Sequence, residues 1–160
     1  MNKTAIRIMV FAISLLFNNV AFSQNISTIR FETLQQRITS NPDTVYVVNF
    51  FASWCAPCIQ EIPDFLKYAE DNKNEKVRVI FVSLDFKKNM YESLLPLIQK
   101  LNINQTVYLL DEPDANQWID KIDNTWSGVI PATLILHKSS DYRKFIPAPL
   151  TYSLLKKFTK

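Results

Sequence analysis

Two cysteines at close spacing are the residues of this sequence best suited to chemistry. Cys55 and Cys58 are the only cysteines, in the segment Trp54-Cys55-Ala56-Pro57-Cys58. A strand-like run ends just before them and a helix-like run follows at 59–71, so Cys55 is expected at a helix N-terminus, on the surface. Unpaired backbone N–H groups and the helix dipole favour a thiolate there. Cys58 lies one turn further on the same face, so the pair could close a disulfide and exchange it with a partner's disulfide.

Two other readings of the pair are a structural disulfide and half of a metal site. The chain-entropy model gives a disulfide loop this short only about 2 kcal/mol of stabilisation. Tetrahedral zinc needs four ligands, and the chain has no second cysteine pair and a single histidine, His137. The sequence therefore favours a redox-active pair with no metal and no cofactor beyond the disulfide itself.

The N-terminus has the layout of a secretory signal peptide. Residues 1–7 are a short basic opening, residues 8–17 are apolar, and Ala21 and Ser23 are small residues at the positions that a signal peptidase reads. This pattern predicts a signal peptide over residues 1–23, cut after Ser23. No cysteine lies near the cut, which excludes a lipid-modified cysteine anchor, and cleavage leaves no stable membrane anchor. An uncleaved N-terminal anchor is the alternative, although the apolar run is short for one.

Cleavage of the signal peptide would change the length and the net charge of the mature protein. Cleavage would leave one domain, residues 24–160, and would place the cysteines outside the reducing cytosol. Removal of Lys3 and Arg7 lowers the formal net charge from +3 to +1. A domain so near neutrality has no electrostatic footprint for nucleic acid. Gly128 is the only glycine, which argues against phosphate-cradling loops.

The rest of the chain alternates predicted helices and strands. Helical patterns cover residues 26–40, 59–71, 89–101, 111–122 and 150–158. Strand patterns cover residues 44–51, 77–84, 106–110, 131–136 and 142–146, the last two joined by a polar turn. Pro63 and Pro96 should bend their helices, and Asp85, after the second strand, is expected to cap a helix. The alternation predicts an α/β fold with a mixed sheet and helices on both sides.

The residues around the cysteines resemble a known family. Residues 47–51 followed by 52–58 resemble the active site of the thioredoxin superfamily. Glu61-Ile62-Pro63, an added helix and strand at about 89–110, and the signal peptide are most similar to the exported TlpA/ResA-type thiol-disulfide oxidoreductases. The resemblance covers about residues 28–160. It implies a thioredoxin-like fold, a central mixed β-sheet flanked by helices, with an N-terminal helix and an extra helix–strand insertion.

The resemblance assigns roles to the residues of the motif. Cys55 would be the exposed attacking thiol and Cys58 the buried resolving thiol, with Ala56 and Pro57 as the dipeptide that tunes the potential. Pro57 suits the first helical turn, where its missing N–H is not needed. Trp54 would shelter the pair and shape a docking surface, or else pack in the core.

Glu61 is the next candidate catalytic residue. It follows Cys58 by three residues, so it should lie on the same helix face, behind the disulfide. Partial burial would raise the pKa of its carboxyl group and suit it to shuttle a proton for Cys58, the role that the resemblance implies. The alternative is an acid that merely offsets the helix dipole.

Pro131 matches the cis-proline that faces the cysteines in the superfamily. A cis bond would turn the Ile130 backbone outward, where an extended substrate could pair with it beside Cys55. Two loops depart from the family pattern, since the turn at 138–141 and the approach to the closing helix lack glycine. His137 matches no catalytic position and is expected at the surface.

Together these patterns predict a periplasmic or secreted disulfide reductase that acts on substrate proteins with disulfides and serves cell redox homeostasis. A membrane thiol carrier would reduce it again. A disulfide oxidase or isomerase on the same fold is one alternative, since thioredoxin-like potentials run from about −270 to about −120 mV. A non-catalytic binding module with a structural disulfide is the other.

Overall fold

A computed structural model describes residues 26–159 of the chain. The predicted signal peptide, residues 1–23, lies outside these residues. None of the helices within 26–159 combines the length and the apolar character needed to cross a membrane.

The centre of the fold is a six-stranded mixed sheet. Its strands are β1 Ser27–Ile29, β2 Val45–Phe51, β3 Val77–Ser83, β4 Thr106–Leu110, β5 Ala132–His137 and β6 Tyr142–Ile146. Their order across the sheet is β1-β4-β3-β2-β5-β6. Strands β1, β4, β3 and β2 run parallel to one another, whereas β5 is antiparallel to β2 and β6 is antiparallel to β5. The predicted mixed sheet is confirmed.

Helices cover both faces of the sheet. They are α1 Phe31–Ile38, α2 Ala56–Asp71, α3 Leu95–Lys100, α4 Ile119–Ile122 and α5 Tyr152–Phe158. Buried residues of α2, α3 and α5 share one apolar cluster, and those of α1 and α4 share the other. The insertion at about 89–110 contains α3 and β4, and β4 pairs between β1 and β3.

Strand β2 lies between β3 and β5 and is covered on both faces. Val47 and Phe51 enter the cluster under α2, whereas Val48 and Phe50 enter the cluster under α1. Such a strand reads as a continuous apolar run because neither face meets water. Burial of each large apolar side chain contributes about 1.5–3 kcal/mol, which fixes the position of the strand and of the turn that follows it.

The N-terminal helix is shorter than predicted. Helix α1 buries Phe31, Leu34 and Ile38, as the apolar spacing indicates. Residues 27–29, however, form β1, which pairs in parallel with β4. The apolar periodicity could not reveal this, because backbone hydrogen bonding to the edge of β4 depends on a strand about eighty residues away.

The two helix-interior prolines behave differently. The helix predicted over 89–101 is divided, with a π turn at Met90–Leu94 and Pro96 in the first turn of α3. Proline is tolerated in a first turn because its missing N–H has no partner there. Helix α2 continues through Pro63, and the kink expected there stays a prediction.

The helix predicted over 111–122 is also interrupted. Asp114 caps a 3₁₀ turn at Ala115–Gln117, and α4 begins only at Ile119. Trp118 separates the two pieces, since its indole is buried and donates a hydrogen bond to the Glu112 carbonyl at 3.2 Å. Side-chain burial here overrides the local helical pattern.

The hairpin between β5 and β6 forms as predicted, without glycine. Its turn is a 3₁₀ turn at Lys138–Ser140, followed by Asp141 with a positive φ of 53°. Aspartate is one of the few residues with a side chain that adopt this left-handed conformation readily. Asp141 thus takes the place of the glycine that the family pattern led us to expect.

This conformation makes a stability prediction. Asp141→Val should be less stable than Asp141→Gly by about 1–2 kcal/mol, because the β-carbon of an ordinary L-residue crowds the following carbonyl oxygen at positive φ. Equilibrium urea unfolding of the two variants measures the difference. The same pair of substitutions at the right-handed neighbour Ser140 should not favour glycine, and equal stabilities at 141 would contradict the assignment.

Candidate active site

Cys55 and Cys58 form a disulfide at the start of α2, with Cα atoms 5.3 Å apart. Strand β2 ends at Phe51, and Cys55 occupies the N-cap position of α2 with extended backbone angles. Its Sγ accepts a hydrogen bond from the Cys58 N–H at 3.3 Å. Since this N–H is one of the unpaired donors of the helix terminus, the same contact would stabilise a Cys55 thiolate in the reduced protein.

The two cysteines differ in accessibility. Cys55 retains 5% of its surface and Cys58 none. Cys55 is therefore the more accessible residue of the pair. The sequence predicted an exposed Cys55, which is wrong, since the residue is mostly buried. The cause is packing, since Cys55 joins Cys58 and Ala52 in the apolar cluster beneath α2.

The residues next to the cysteines form an exposed surface. Ala56 and Pro57 are exposed in the first turn of α2. Proline fits there because a backbone N–H in the first turn would have no carbonyl partner within the helix. The Trp54 side chain is 65% exposed, so its alternative role as a core residue is wrong. A large aromatic ring at the surface beside a disulfide is available for contact with a partner.

Glu61 is buried in α2, one helical turn beyond Cys58. Its Oε1 accepts a hydrogen bond from the Asn49 Nδ2 at 2.7 Å, and its Oε2 accepts one from the Leu150 N–H, also at 2.7 Å. Burial raises the pKa of the carboxyl group to about 7, against the lowering effect of these two bonds; the nearby charge of Asp64 adds to the rise. The predicted burial and pKa direction agree with the structure, and the carboxyl group can take or give a proton near neutral pH.

Pro131 follows a cis peptide bond, as predicted. The preceding loop is held by Trp126, whose indole donates a hydrogen bond to the Val129 carbonyl at 2.8 Å. Gly128 in this loop has a φ of 85°, and a β-carbon there would lie 3.1 Å from the side chain of Ile119. Both the angle and the close approach require glycine.

The topology brings this loop to the cysteines. Strand β5 begins at Ala132, which pairs with Phe50 near the end of the antiparallel β2. The loop before β5 and the turn after β2 therefore meet at one edge of the sheet. Val129 is 60% exposed and Ile130 half-buried at this edge, so both can contact a partner docked at Cys55.

Asp85 is not the helix cap that the sequence predicted. The 3₁₀ turn at Lys87–Asn89 has Phe86 at its N-cap, and the buried Asp85 carboxylate turns inward instead. It accepts hydrogen bonds from the Ser53 N–H at 2.9 Å, the Ser53 hydroxyl at 2.7 Å and the Ser83 hydroxyl at 2.7 Å. The carboxylate thereby connects the turn before the cysteines to the end of β3, because it accepts hydrogen bonds from both.

Two further polar residues of the site were missed by sequence reasoning. Asn49 and Thr133 are fully buried on neighbouring strands, and the Asn49 Nδ2 lies 3.3 Å from the Thr133 hydroxyl oxygen. The only signal for Asn49 was an amide within the apolar run of β2. Within residues 26–159, no group of three potential ligand side chains could hold a metal. His137 ends β5 and contacts the Ser140 hydroxyl at 3.0 Å, near the surface as predicted.

Comparison with known proteins gives one family match. The AhpC/TSA family model matches residues 22–141, three quarters of the chain. Sporulation thiol-disulfide oxidoreductase A of Bacillus subtilis is 21% identical over 114 residues. That alignment covers 71% of this chain and 66% of the relative, slightly less than two thirds of its length.

Solved structures show the same fold. A thioredoxin-related protein from Neisseria meningitidis serogroup B superposes with a TM-score of 0.65 at 22% identity, over 76% of this chain and 87% of that one. A secreted Mycobacterium tuberculosis disulfide oxidoreductase, described as homologous to E. coli DsbE, superposes with a TM-score of 0.55 at 20% identity, over 73% and 81%. The predicted thioredoxin-like fold is confirmed.

The burial of Glu61 predicts a pH-dependent stability. Because the pKa of this acid in the folded protein, about 7, exceeds its ordinary value of 4.5, its stabilising effect is full below pH 4.5 and is lost as the pH rises through 7. Relative to Glu61→Gln, the wild-type protein should lose roughly 3 kcal/mol between pH 4.5 and pH 8. Chemical denaturation of the oxidised proteins at several pH values tests this, and a pH-independent difference would refute it.

Proposed function

This chain belongs to the AhpC/TSA family, and we propose that it is a thiol-disulfide oxidoreductase whose reduced Cys55–Cys58 pair reduces the disulfides of substrate proteins. The observation that carries the proposal is the disulfide at the N-terminus of α2, with Cys55 slightly exposed and Cys58 fully buried. A structural disulfide needs no such asymmetry, whereas two-step exchange does, because one sulfur must meet the substrate and the other must wait.

In the first step, the Cys55 thiolate attacks one sulfur of the substrate disulfide. A bond forms between Cys55 Sγ and that sulfur, the substrate S–S bond breaks, and the second substrate sulfur leaves as a thiolate that takes a proton from water. The helix terminus favours the attacking thiolate through the Cys58 N–H, which lies 3.3 Å from the Cys55 Sγ in the oxidised protein.

In the second step, Cys58 releases the product. Its thiol passes its proton to the Glu61 carboxylate, and the resulting thiolate attacks Cys55 Sγ. The mixed disulfide breaks, the remaining substrate sulfur leaves as a thiolate and is protonated, and two electrons have passed from the enzyme to the substrate. Glu61 suits this role because a base with a pKa of about 7 can both accept and return a proton at neutral pH.

The substrate is held at the edge of the sheet where the cysteines lie. Trp54, next to Cys55 in the chain, and Val129, in the loop before β5, offer exposed apolar surface. The segment Ile130-Pro131 would bind an extended substrate chain, with the exposed Ala56-Pro57 dipeptide completing the contact. Main-chain pairing of this kind would accept many sequences, which suits a reductase of several substrate proteins.

Repeated turnover depends on the compartment in which the protein works and on a reductant that restores its dithiol. Residues 1–23 have the pattern of a signal peptide, and the structurally similar protein of Mycobacterium tuberculosis is described as secreted. We place the domain, residues 24–160, in the periplasm or outside the cell. Since no cytosolic reductant reaches that compartment, a membrane dithiol carrier would supply the two electrons and two protons that restore the Cys55–Cys58 dithiol.

The equilibrium reduction potential tests the direction of exchange. We expect a value near or below about −230 mV in glutathione or dithiothreitol buffers, followed by tryptophan fluorescence. A value between about −180 and −120 mV would instead identify an oxidase or isomerase. A disulfide that resists mild reduction, with no rapid alkylation of Cys55 afterwards, would show a binding module with a structural bridge. Cys58→Ser provides the control that cannot form the disulfide.

The role of Glu61 predicts a kinetic effect on the second step of exchange. In Glu61→Gln, resolution of a mixed disulfide by Cys58 should slow by about 100-fold at pH 7, because the general base is lost. In the wild type the rate of this step should fall as the pH drops below about 7, where Glu61 is already protonated. Stopped-flow release of a chromophoric thiol measures the step. The exposed acid Glu70 on the same helix gives the matched control, Glu70→Gln, and an equal rate in both variants would exclude Glu61 as the base.

A further inference from the structure

The Asn49 amide occupies an unusual position, buried beside Glu61. It is fully buried in β2, opposite Phe81 of β3 and Thr133 of β5. Its Nδ2 donates hydrogen bonds to Glu61 Oε1 at 2.7 Å and to the Thr133 hydroxyl oxygen at 3.3 Å. Its Oδ1 is buried and has no hydrogen-bond partner among the described residues. A buried amide with one satisfied end and one unsatisfied end calls for an explanation.

The hydrogen-bond donors around Glu61 are suited to its ionised form. Both carboxylate oxygens face N–H donors, one on Asn49 and one on the Leu150 backbone. Once the carboxyl group carries a proton, its O–H points at another hydrogen and has no acceptor. A buried donor without an acceptor costs about 1–3 kcal/mol. The Leu150 N–H can only donate a hydrogen bond, but an asparagine amide can rotate to present either its NH₂ donor or its oxygen acceptor.

We propose that Asn49 is a positioning residue whose amide reverses with the protonation state of Glu61, so that the acid can hold or release a proton without losing either hydrogen bond. With Glu61 ionised, the two Nδ2 hydrogens serve Glu61 and Thr133. With Glu61 protonated, a half-turn about the Cγ–Cβ bond brings Oδ1 to the same place, where its two lone pairs accept the Glu61 O–H and the Thr133 O–H.

The chemistry of the two neighbours permits this exchange of roles. A carboxyl group is an acceptor when ionised and a donor when protonated, and the Thr133 hydroxyl can rotate to donate or accept. Each orientation therefore makes two hydrogen bonds and leaves one amide group unpaired. The unpaired Oδ1 in the structure is the counterpart of an unpaired N–H in the reversed orientation.

Other groups around Glu61 do not perform this task. The elements packed against it present Asn49 from β2, the Leu150 N–H from the segment before α5, and Asp64 from its own helix. Asp64 acts by charge and is insensitive to the direction of a hydrogen bond. The inference rests on the proposed function in one respect: the proton that Glu61 stores would come from Cys58.

Nuclear magnetic resonance of the oxidised protein tests the reversal directly. The Asn49 side-chain ¹⁵N and ¹H signals should shift between pH 5 and pH 9 with the same midpoint as the Glu61 carboxyl ¹³C signal. In Glu61→Gln this titration should disappear. A flat Asn49 signal across the Glu61 midpoint, or one that still titrates in Glu61→Gln, would overturn the proposal.

Substitutions of the partners give a second measurement. Asn49→Leu removes a hydrogen bond from both protonation states of Glu61, so the Glu61 midpoint should move by less than about one pH unit. A rise of about two pH units would show an Asn49 that only donates to the ionised acid, and would overturn the reversal. Thr133→Val should reduce the Asn49 shift, whereas Thr133→Ser, which keeps the hydroxyl, should restore it. If Asn49→Leu does not fold, the wild-type titration still decides.

The two proposals fail in different ways. Reversal of Asn49 can be seen in the resting oxidised protein, which performs no exchange. A titrating Asn49 signal together with a high reduction potential would overturn the reductase assignment alone. A flat Asn49 signal together with slow resolution in Glu61→Gln would overturn the amide reversal alone.

Discussion

The hydrogen bond from the Cys58 N–H to the Cys55 sulfur is the contact on which the site depends. It exists only because α2 begins immediately after Cys55, so that the free Cys58 N–H of the first turn points at that sulfur. The start of the helix is in turn fixed by the end of β2, whose apolar side chains are held on both faces. Packing of a central strand thus determines where a reactive sulfur meets the helix dipole.

The same packing buries the polar side chains of the site, so each of them needs hydrogen-bond partners inside the protein. Asn49, Glu61 and Asp85 are all buried, and a buried polar group without partners would destabilise the fold by several kcal/mol. The Asp85 carboxylate accepts hydrogen bonds from Ser53, in the turn before the cysteines, and from Ser83, at the end of β3. Glu61 draws its donors from β2 and from the segment before α5. These bonds connect separate elements, so they fix the site relative to the whole sheet.

What could be predicted from the sequence was local. The apolar run of β2 and the cysteine spacing carry their meaning within a few residues, whereas the cis bond at Pro131 was expected from the family resemblance; each agreed with the structure. Strand β1 and the partners of Asp85 depend on residues distant in sequence, which periodicity cannot reveal. The role of Asn49 could not be predicted for the same reason, since its hydrogen-bond partners Glu61 and Thr133 belong to other elements.

The segment before α5 shows how a distant part of the chain can serve the site. Leu150 donates its backbone N–H to Glu61 across 89 positions of sequence. It follows Pro147-Ala148-Pro149, in which two fixed φ angles limit the conformations open to the chain. A donor held by a stiff segment loses little entropy when it binds the carboxylate. Because the backbone donor is fixed, any adjustment to the protonation of Glu61 falls to its other neighbour, Asn49, whose side chain can rotate.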